Sequence, residues 1–132
     1  MIKKILFLLC FLTIFQASCA TNIECTREHV KKSLYSSKNE VEKQLNLNDQ
    51  NKVVRLLFEA PWCNACKRLS ILMEQAGVTD KVLRLNIDET WAFVTSRNIG
   101  INSVPTLVEL RRDRPPIIIS GPDKIVMHLL IK

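Results

Sequence analysis

Two cysteines, Cys63 and Cys66, are separated by two residues and stand where the pattern of the chain changes. An apolar run over 53–58 precedes them, as in a buried strand, and apolar residues at helical spacing follow over 69–76. Residues i and i+3 in the first turn of a helix lie on one face, so the two sulfur atoms can close a small disulfide ring. The spacing therefore predicts a redox-active cysteine pair.

Cys63 is the predicted nucleophile of this pair. It would lie at the helix N-terminus, where free N–H groups and the helix dipole favour an anion. A thiol in that position commonly has its pKa lowered from about 8.5 into the range of roughly 3.5–7.5. Cys66, further into the helix, is expected to be more buried and less acidic, and to resolve the mixed disulfide formed at Cys63.

The residues around the pair resemble the thioredoxin family. Trp62 directly precedes Cys63, Lys67 directly follows Cys66, and the downstream segment 100–106 reads Gly-Ile-Asn-Ser-Val-Pro-Thr. That segment is similar to the one that ends in a cis-proline packed against the thioredoxin disulfide. The resemblance spans roughly residue 53 to the C-terminus. It implies a thiol–disulfide oxidoreductase that needs no cofactor beyond the Cys63–Cys66 disulfide and acts on protein thiols and disulfides with a redox partner protein.

The same resemblance implies a substrate-binding surface around Cys63. The Val104–Pro105 peptide bond is expected to be cis, to lie beside the cysteines and to present main-chain groups to an extended substrate. An ordinary loop proline at a strand start is the alternative. The residues expected to form this apolar surface are Trp62, Val104, Pro105, Gly121 and Pro122.

The sequence departs from the thioredoxin pattern at three places. The dipeptide between the cysteines is Asn64-Ala65 rather than Gly-Pro, and Ile71 replaces the proline that kinks the active-site helix. Leu57 stands where the family has a buried aspartate that assists proton transfer at the second cysteine. Glu59, two residues on and therefore on the same strand face, is the candidate proton-transfer residue in its place. A solvated carboxylate at the strand end is the alternative interpretation of Glu59.

The elements that must position these residues alternate along the chain. The patterns predict helices over 26–45, 69–76, 88–97 and 123–131, and strands over 53–58, 82–87, 106–110 and 117–120. This order predicts an α/β thioredoxin fold, with a mixed central sheet of about four to five strands and helices on both faces. The part over 21–51 is the least defined, because no strand pattern precedes its helix.

Two of these elements carry further predictions. In the helix over 88–97, Asp88 or Thr90 is the candidate N-cap, and Trp91 and Val94 are predicted to face inward. Pro115 and Pro116 cannot donate ladder hydrogen bonds, which favours an edge position for the last strand of the hairpin.

Residues 1–20 have the pattern of a secretory signal peptide. Lys3 and Lys4 precede an apolar stretch over 5–15, and small residues follow up to Ala20. Cleavage after Ala20 would leave a thioredoxin-like domain over 21–132. We therefore expect an exported protein in a bacterial periplasm. Two alternatives are an uncleaved membrane anchor and a lipoprotein anchored to the membrane at Cys19, because 17–19 loosely resembles a lipoprotein cleavage site.

Composition bounds the partners. The 132 residues suit one domain, and the formal net charge of +6 falls to about +4 without residues 1–20. Arg111, Arg112 and Arg114 are interrupted by Asp113 and lack interleaved aromatic residues. A solvated hairpin turn is therefore expected there rather than a nucleic-acid surface. The chain is expected to be a monomer without a nucleic-acid partner.

Two other functions remain open at this level. One is a non-catalytic binding module that uses the same docking surface. The other is a zinc-stabilised domain, because Cys25, His29, Cys63 and Cys66 would make a tetrahedral set of ligands. No metal is the preferred expectation, with Cys25 a free or intermolecular thiol. His29 and His128 are predicted to be surface residues rather than catalytic bases.

Overall fold

The computed structural model describes residues 34–46, 49 and 51–131. The chain divides into two units, Met1–Leu34 and Tyr35–Lys132, and every element given below belongs to the second. The predicted signal peptide, the start of the predicted domain, Cys19, Cys25 and His29 lie outside the described residues.

The elements follow the predicted order, with boundaries that move by a few residues. The helices and strands are α1 Lys38–Asn46, β1 Val54–Glu59, α2 Asn64–Ala76, a short 3-10 helix Thr79–Lys81, β2 Leu83–Asn86, α3 Thr90–Ile99, β3 Thr106–Arg111, β4 Arg114–Ser120 and α4 Pro122–Ile131. In the described part of the predicted helix over 26–45, α1 begins after Ser37, whose Oγ accepts a hydrogen bond from the backbone N–H of Glu40 at 3.2 Å. The serine thus caps the helix start.

The strands form one mixed sheet in the order β2-β1-β3-β4. Strand β1 is parallel to β2 and antiparallel to β3, and β4 is antiparallel to β3. Pro115 and Pro116 lie in β4, an edge strand, opposite the register shift between Glu109 and Arg111 of β3, where the regular ladder is interrupted and missing N–H donors are tolerated. The four-stranded sheet confirms the predicted fold class, and β1 is the central buried strand that the sequence predicts.

Helices cover both faces of the sheet. On one face, Leu57 and Leu107 pack against Leu69 of α2 and Leu129 of α4. On the other face, the core contains apolar residues of β1 and β3 with Val41 of α1 and Ala92 of α3; these sheet residues are Val54, Leu56, Phe58 and Val108. Fully burying one such Leu or Phe side chain stabilises the fold by about 1.5–3 kcal/mol. The two layers therefore hold β1, and with it the start of α2, from both sides.

Helix α3 faces the core with a different side from the one that the sequence predicts. The sequence predicts Trp91 and Val94 inward, but Ala92 and Ser96 are the buried residues and Val94 is half exposed. Trp91 packs only partly against the core. Residues 92 and 96 are four apart and share a face, and their small side chains let the helix lie close to the sheet. Phe93 is consequently turned outwards and is also half exposed.

Glu109, buried in β3, is held by the side chains of Arg55, Arg111 and His128. Its Oε2 lies 3.0 Å from Arg55 Nε and 2.9 Å from His128 Nε2, and its Oε1 lies 2.9 Å from Arg111 Nη2. Burial would raise the pKa of Glu109, but the hydrogen bonds from His128, Arg55 and Arg111 lower it to about 2. The hairpin turn predicted at the arginine cluster is present, with Arg112 and Arg114 exposed, but Arg111 ends β3 and turns to Glu109. The prediction of His128 as a surface residue is wrong, because its side chain is drawn inward to the same buried carboxylate.

We predict that Glu109→Gln lowers the free energy of unfolding at pH 7 by on the order of 3 kcal/mol, because Arg55 and Arg111 lose the buried carboxylate that they share with His128. The pKa of Glu109 is lower in the folded chain than its ordinary 4.5. Its stabilisation is therefore complete above about pH 4.5 and is lost as the pH falls towards 2. Urea unfolding at pH 7 and pH 3 measures both effects, and the variant should lose less stability between them. Glu42→Gln, at an exposed pair with Lys38, is the matched control; equal losses in the two variants would contradict the prediction.

Candidate active site

The cysteine pair lies at the N-terminus of α2. Cys63 is the N-cap residue, with extended backbone angles, and its Sγ accepts a hydrogen bond from the backbone N–H of Cys66 at 3.1 Å. The two residues form a disulfide, with their Cα atoms 5.2 Å apart. Cys63 is 7% exposed and Cys66 3%. Cys66 is thus the more covered of the two, as the sequence predicts, and a thiolate at Cys63 would face free helix N–H groups.

The loop before β3 lies directly against Cys63. The carbonyl oxygen of Val104 is 3.6 Å from Cys63 Sγ, so it can accept from the thiol when the pair is reduced. The Val104–Pro105 peptide bond is cis. The carbonyl of Pro105 accepts a hydrogen bond from the N–H of Gly121 at 3.3 Å, which joins this loop to the start of α4. Gly121 has φ +97°, a conformation that favours glycine.

Trp62 stands at the rim of the site with 64% of its surface exposed. Its indole Nε1–H donates a hydrogen bond to Oδ1 of Asp88 at 3.0 Å. Asp88 follows β2, and its backbone N–H is held by the Asn86 side chain at 3.0 Å. The polar edge of the ring is therefore fixed while its apolar face is open to a partner. Asp88 therefore positions the Trp62 ring. Its sequence pattern indicates only a helix cap.

A groove of about 310 Å³ opens beside Trp62 and Val104. Its walls include Phe93 and Arg97 of α3 and Ile101 in the loop that follows. The predicted docking surface is therefore divided. Trp62 and Val104 line this groove. Pro105, Gly121 and Pro122, which the structure also describes, lie outside its lining. Local sequence pattern does not identify Phe93 and Arg97 as groove residues, because packing decides which face of α3 meets the core. The available signal was an aromatic residue beside the small residue Ala92.

Glu59 is fully buried, so the alternative of a solvated carboxylate is wrong. Arg84 binds both of its oxygens, with Nε 2.6 Å from Oε2 and Nη2 2.9 Å from Oε1. Strand alternation puts Glu59 on the face of Leu57, and Leu57 is the register partner of Arg84 on parallel β2. Burial raises the pKa of Glu59, and the hydrogen bonds and charge of Arg84 oppose that rise. Burial also raises the pKa of nearby Tyr35, to which the charge of Glu59 adds.

Two further residues connect Glu59 to the cysteine pair. Nη2 of Arg84 donates to Oγ of Ser70 at 2.5 Å, and Ser70 Oγ lies 3.1 Å from the carbonyl oxygen of Cys66. Neither Arg84 nor Ser70 is among the site residues predicted from the sequence. The available signal for Arg84 was a charged residue within an otherwise apolar strand over 82–87.

Metal-binding side chains do not cluster in the described part of the chain. Across residues 34–46, 49 and 51–131, no group of three or more His, Cys, Asp or Glu side chains could hold a metal ion. Two members of the alternative zinc set, Cys25 and His29, lie outside this range. No helix within these described residues is long and apolar enough to cross a membrane.

Comparison with known proteins identifies the family. The thioredoxin family model matches residues 32–129. The thioredoxin of Haemophilus influenzae is 32% identical over 63 residues, which cover 44% of this chain and 56% of that protein. The thioredoxin of Bacillus subtilis is 33% identical over 63 residues, covering 45% and 59% respectively. The match to these curated relatives thus spans little more than half of their length.

Solved structures share the same fold. The germline-specific thioredoxin Deadhead of Drosophila melanogaster has a TM-score of 0.57 at 22% identity, covering 74% of this chain and 93% of that one. The oxidised C-terminal domain of Neisseria meningitidis DsbD has a TM-score of 0.55 at 17% identity, covering 73% and 96%. The family match extends from before α1 into α4 and includes the cysteine pair and the Val104–Pro105 loop. The chain belongs to the thioredoxin family.

Proposed function

We propose that this protein is a thiol–disulfide oxidoreductase that exchanges disulfides with protein substrates. The observation that carries the proposal is the Cys63–Cys66 disulfide at the start of α2, with the Val104 carbonyl 3.6 Å from Cys63 Sγ. Membership of the thioredoxin family supports the same chemistry. A pair closed at a helix N-terminus can also open, because the N–H groups there stabilise the thiolate.

The exchange needs two attacks by sulfur. The Cys63 thiolate attacks a substrate disulfide, so that a bond forms from Cys63 Sγ to one substrate sulfur while the other leaves and takes a proton. The Cys66 thiol gives up its proton, and its thiolate attacks Cys63 Sγ. The internal disulfide forms, and the second substrate sulfur leaves and is protonated. Two electrons pass from the pair to the substrate, and a dithiol redox partner returns them; the reverse order oxidises a substrate dithiol.

The groove beside Cys63 supports a protein substrate. Trp62 and Phe93 expose large aromatic surface on its walls, at 64% and 50% of their areas. Aromatic residues contribute strongly to protein interfaces because they provide much apolar contact area with few rotatable bonds. An extended segment of a substrate protein, with its disulfide at Cys63, fits such a groove. A non-catalytic binding module would use the same groove without exchange at the cysteines.

The pattern of residues 1–20 supports export. Its basic start, apolar centre and small-residue end direct a chain to secretion in general. Export places the cysteine pair in the periplasm, a compartment where disulfides persist. Acylation at Cys19 is the alternative that would hold the domain at a membrane.

We predict that Cys66→Ser accumulates mixed disulfides with a disulfide-containing test protein, whereas Cys63→Ser accumulates none and has no turnover. The reason is that Cys63 caps the helix and makes the first bond, while Cys66 releases it. Non-reducing electrophoresis measures the trapped species, and the double variant is the control. Trapping by Cys63→Ser alone would reverse the two roles. A wild-type protein without turnover, together with no trapping by either variant, would leave the binding module as the function.

Glu59→Gln is predicted to slow the release of the mixed disulfide by up to about 10²-fold, because a placed carboxyl group no longer exchanges the Cys66 proton. Burial raises the pKa of Glu59, so the ionised base forms only at a higher pH than for an exposed glutamate. The release rate of wild type should rise with pH through that raised pKa, and the variant should lack this step. Glu109→Gln, which removes the other buried glutamate, should keep the step. Superimposable pH profiles for wild type and Glu59→Gln would contradict the prediction.

The export proposal is tested by expressing the full chain in a bacterium and determining the N-terminus and fraction of the product. We expect a periplasmic product that begins at Thr21, and Ala20→Arg should block this cleavage because a small residue is needed there. A membrane-bound product acylated on Cys19 would support the lipoprotein alternative instead. Uncleaved chain in the cytosol would overturn export.

A further inference from the structure

An arginine that is largely shielded from solvent is joined to the redox pair by two hydrogen bonds. The side chain of Arg84 is only 11% exposed, and Ser70 lies between it and Cys66. This connection does not depend on any side-chain atom of the cysteines. It reaches the carbonyl oxygen of Cys66, in the first turn of α2, from the adjacent strand β2.

The direction of each hydrogen bond follows from chemistry. An arginine side chain can only donate, so Ser70 Oγ must accept from Arg84. The one hydroxyl proton of Ser70 is then free to be donated to the carbonyl of Cys66, 3.1 Å away. A hydroxyl that accepts from a cation is polarised and becomes a stronger donor. Through the polarised Ser70 hydroxyl, Arg84 therefore strengthens the hydrogen bond to the carbonyl oxygen of Cys66.

The fork shape of the guanidinium makes this arrangement specific to arginine. Nε binds one oxygen of Glu59, while Nη2 binds the other oxygen and also Ser70. A lysine has a single ammonium group on a flexible stem and cannot reproduce this planar set of contacts. Glu59 keeps the guanidinium in place, and the guanidinium in turn fixes the Ser70 hydroxyl.

We propose that Arg84 is a positioning residue for the redox pair, acting through Ser70 on the backbone of Cys66 to favour the reduced form. This inference rests on the proposed function. A permanent cation linked to the first turn of α2 stabilises a thiolate in that turn more than it stabilises a neutral disulfide. Loss of the link therefore shifts the pair towards the disulfide. Glu59 offsets part of the charge of Arg84. Ser70 couples the arginine to the backbone of Cys66 by accepting from Arg84 and donating to the Cys66 carbonyl.

The test measures the equilibrium in which the protein disulfide and two molecules of glutathione give the protein dithiol and oxidised glutathione. Ser70→Ala is expected to lower the equilibrium constant by about three- to ten-fold, on the scale of one lost hydrogen bond between neutral groups. Arg84→Lys should lower it similarly, because it retains a cation but loses the fork. Thr95→Ala is the matched control. Like Ser70, Thr95 donates its hydroxyl to the carbonyl oxygen four residues earlier in its helix. In this case the carbonyl is that of Trp91, 2.8 Å away, and the helix is α3.

A merely structural role would change the unfolding midpoint of these variants and leave the glutathione equilibrium of the folded protein alone. Wild-type constants in Ser70→Ala or in Arg84→Lys would overturn the inference, as would an equal shift in Thr95→Ala. These outcomes differ from failure of the proposed function. If wild type itself exchanges neither with glutathione nor with a neutral small disulfide, both proposals fail; if wild type exchanges and the Ser70→Ala constant is unchanged, only the role of Arg84 fails.

Discussion

The ion pair between Glu59 and Arg84 is the interaction on which the active-site end of the sheet depends. A carboxylate with no exposed surface at the last residue of β1 would be strongly destabilising without a cation beside it. Arg84 can supply that cation because β1 and β2 are parallel and in a register that places it beside Leu57 on the same face. The pair thus ties the strand that leads into the cysteines to its neighbour, four residues before Cys63. A change in strand register would separate the two charges and leave both buried.

In the proposed function, the redox chemistry and the recognition of a substrate draw on different parts of this fold. The position of Cys63 follows from the backbone, since it is the residue where an extended strand exit becomes a helix and where N–H groups are free. The groove beside it is built from side chains of α3 and of the loop that ends at Val104. Exposed Phe93 and Arg97 can change without altering the helix start. Substitutions in the groove can therefore alter its surface without moving the cysteine pair at the start of α2.

One departure from the thioredoxin pattern, Leu57, is accompanied in the structure by a buried acid further along the same strand. Leu57 replaces an acid at the centre of the α2 and α4 face and packs there with Leu69 and Leu107. The acid on that face is instead Glu59, and its arginine also binds a serine of α2. The buried acid of this face thus lies two residues nearer to the cysteines than Leu57 does. Arg84 and Ser70 connect it by hydrogen bonds to the carbonyl oxygen of Cys66.

The sequence by itself determines the order of the elements, the place of the cysteine pair at a helix start and the edge position of the strand with Pro115 and Pro116. These features depend on residues close together in the chain: apolar periodicity, the two-residue spacing of the cysteines and the missing N–H of proline. Only the tertiary structure decides that Glu59 is buried against Arg84, that His128 turns inward to Glu109, and that Phe93 rather than Val94 lines a groove. Each of these outcomes pairs residues from separate elements. A buried charge needs a partner within about 4 Å, and which distant residue supplies it is set by strand register and helix packing, not by local pattern.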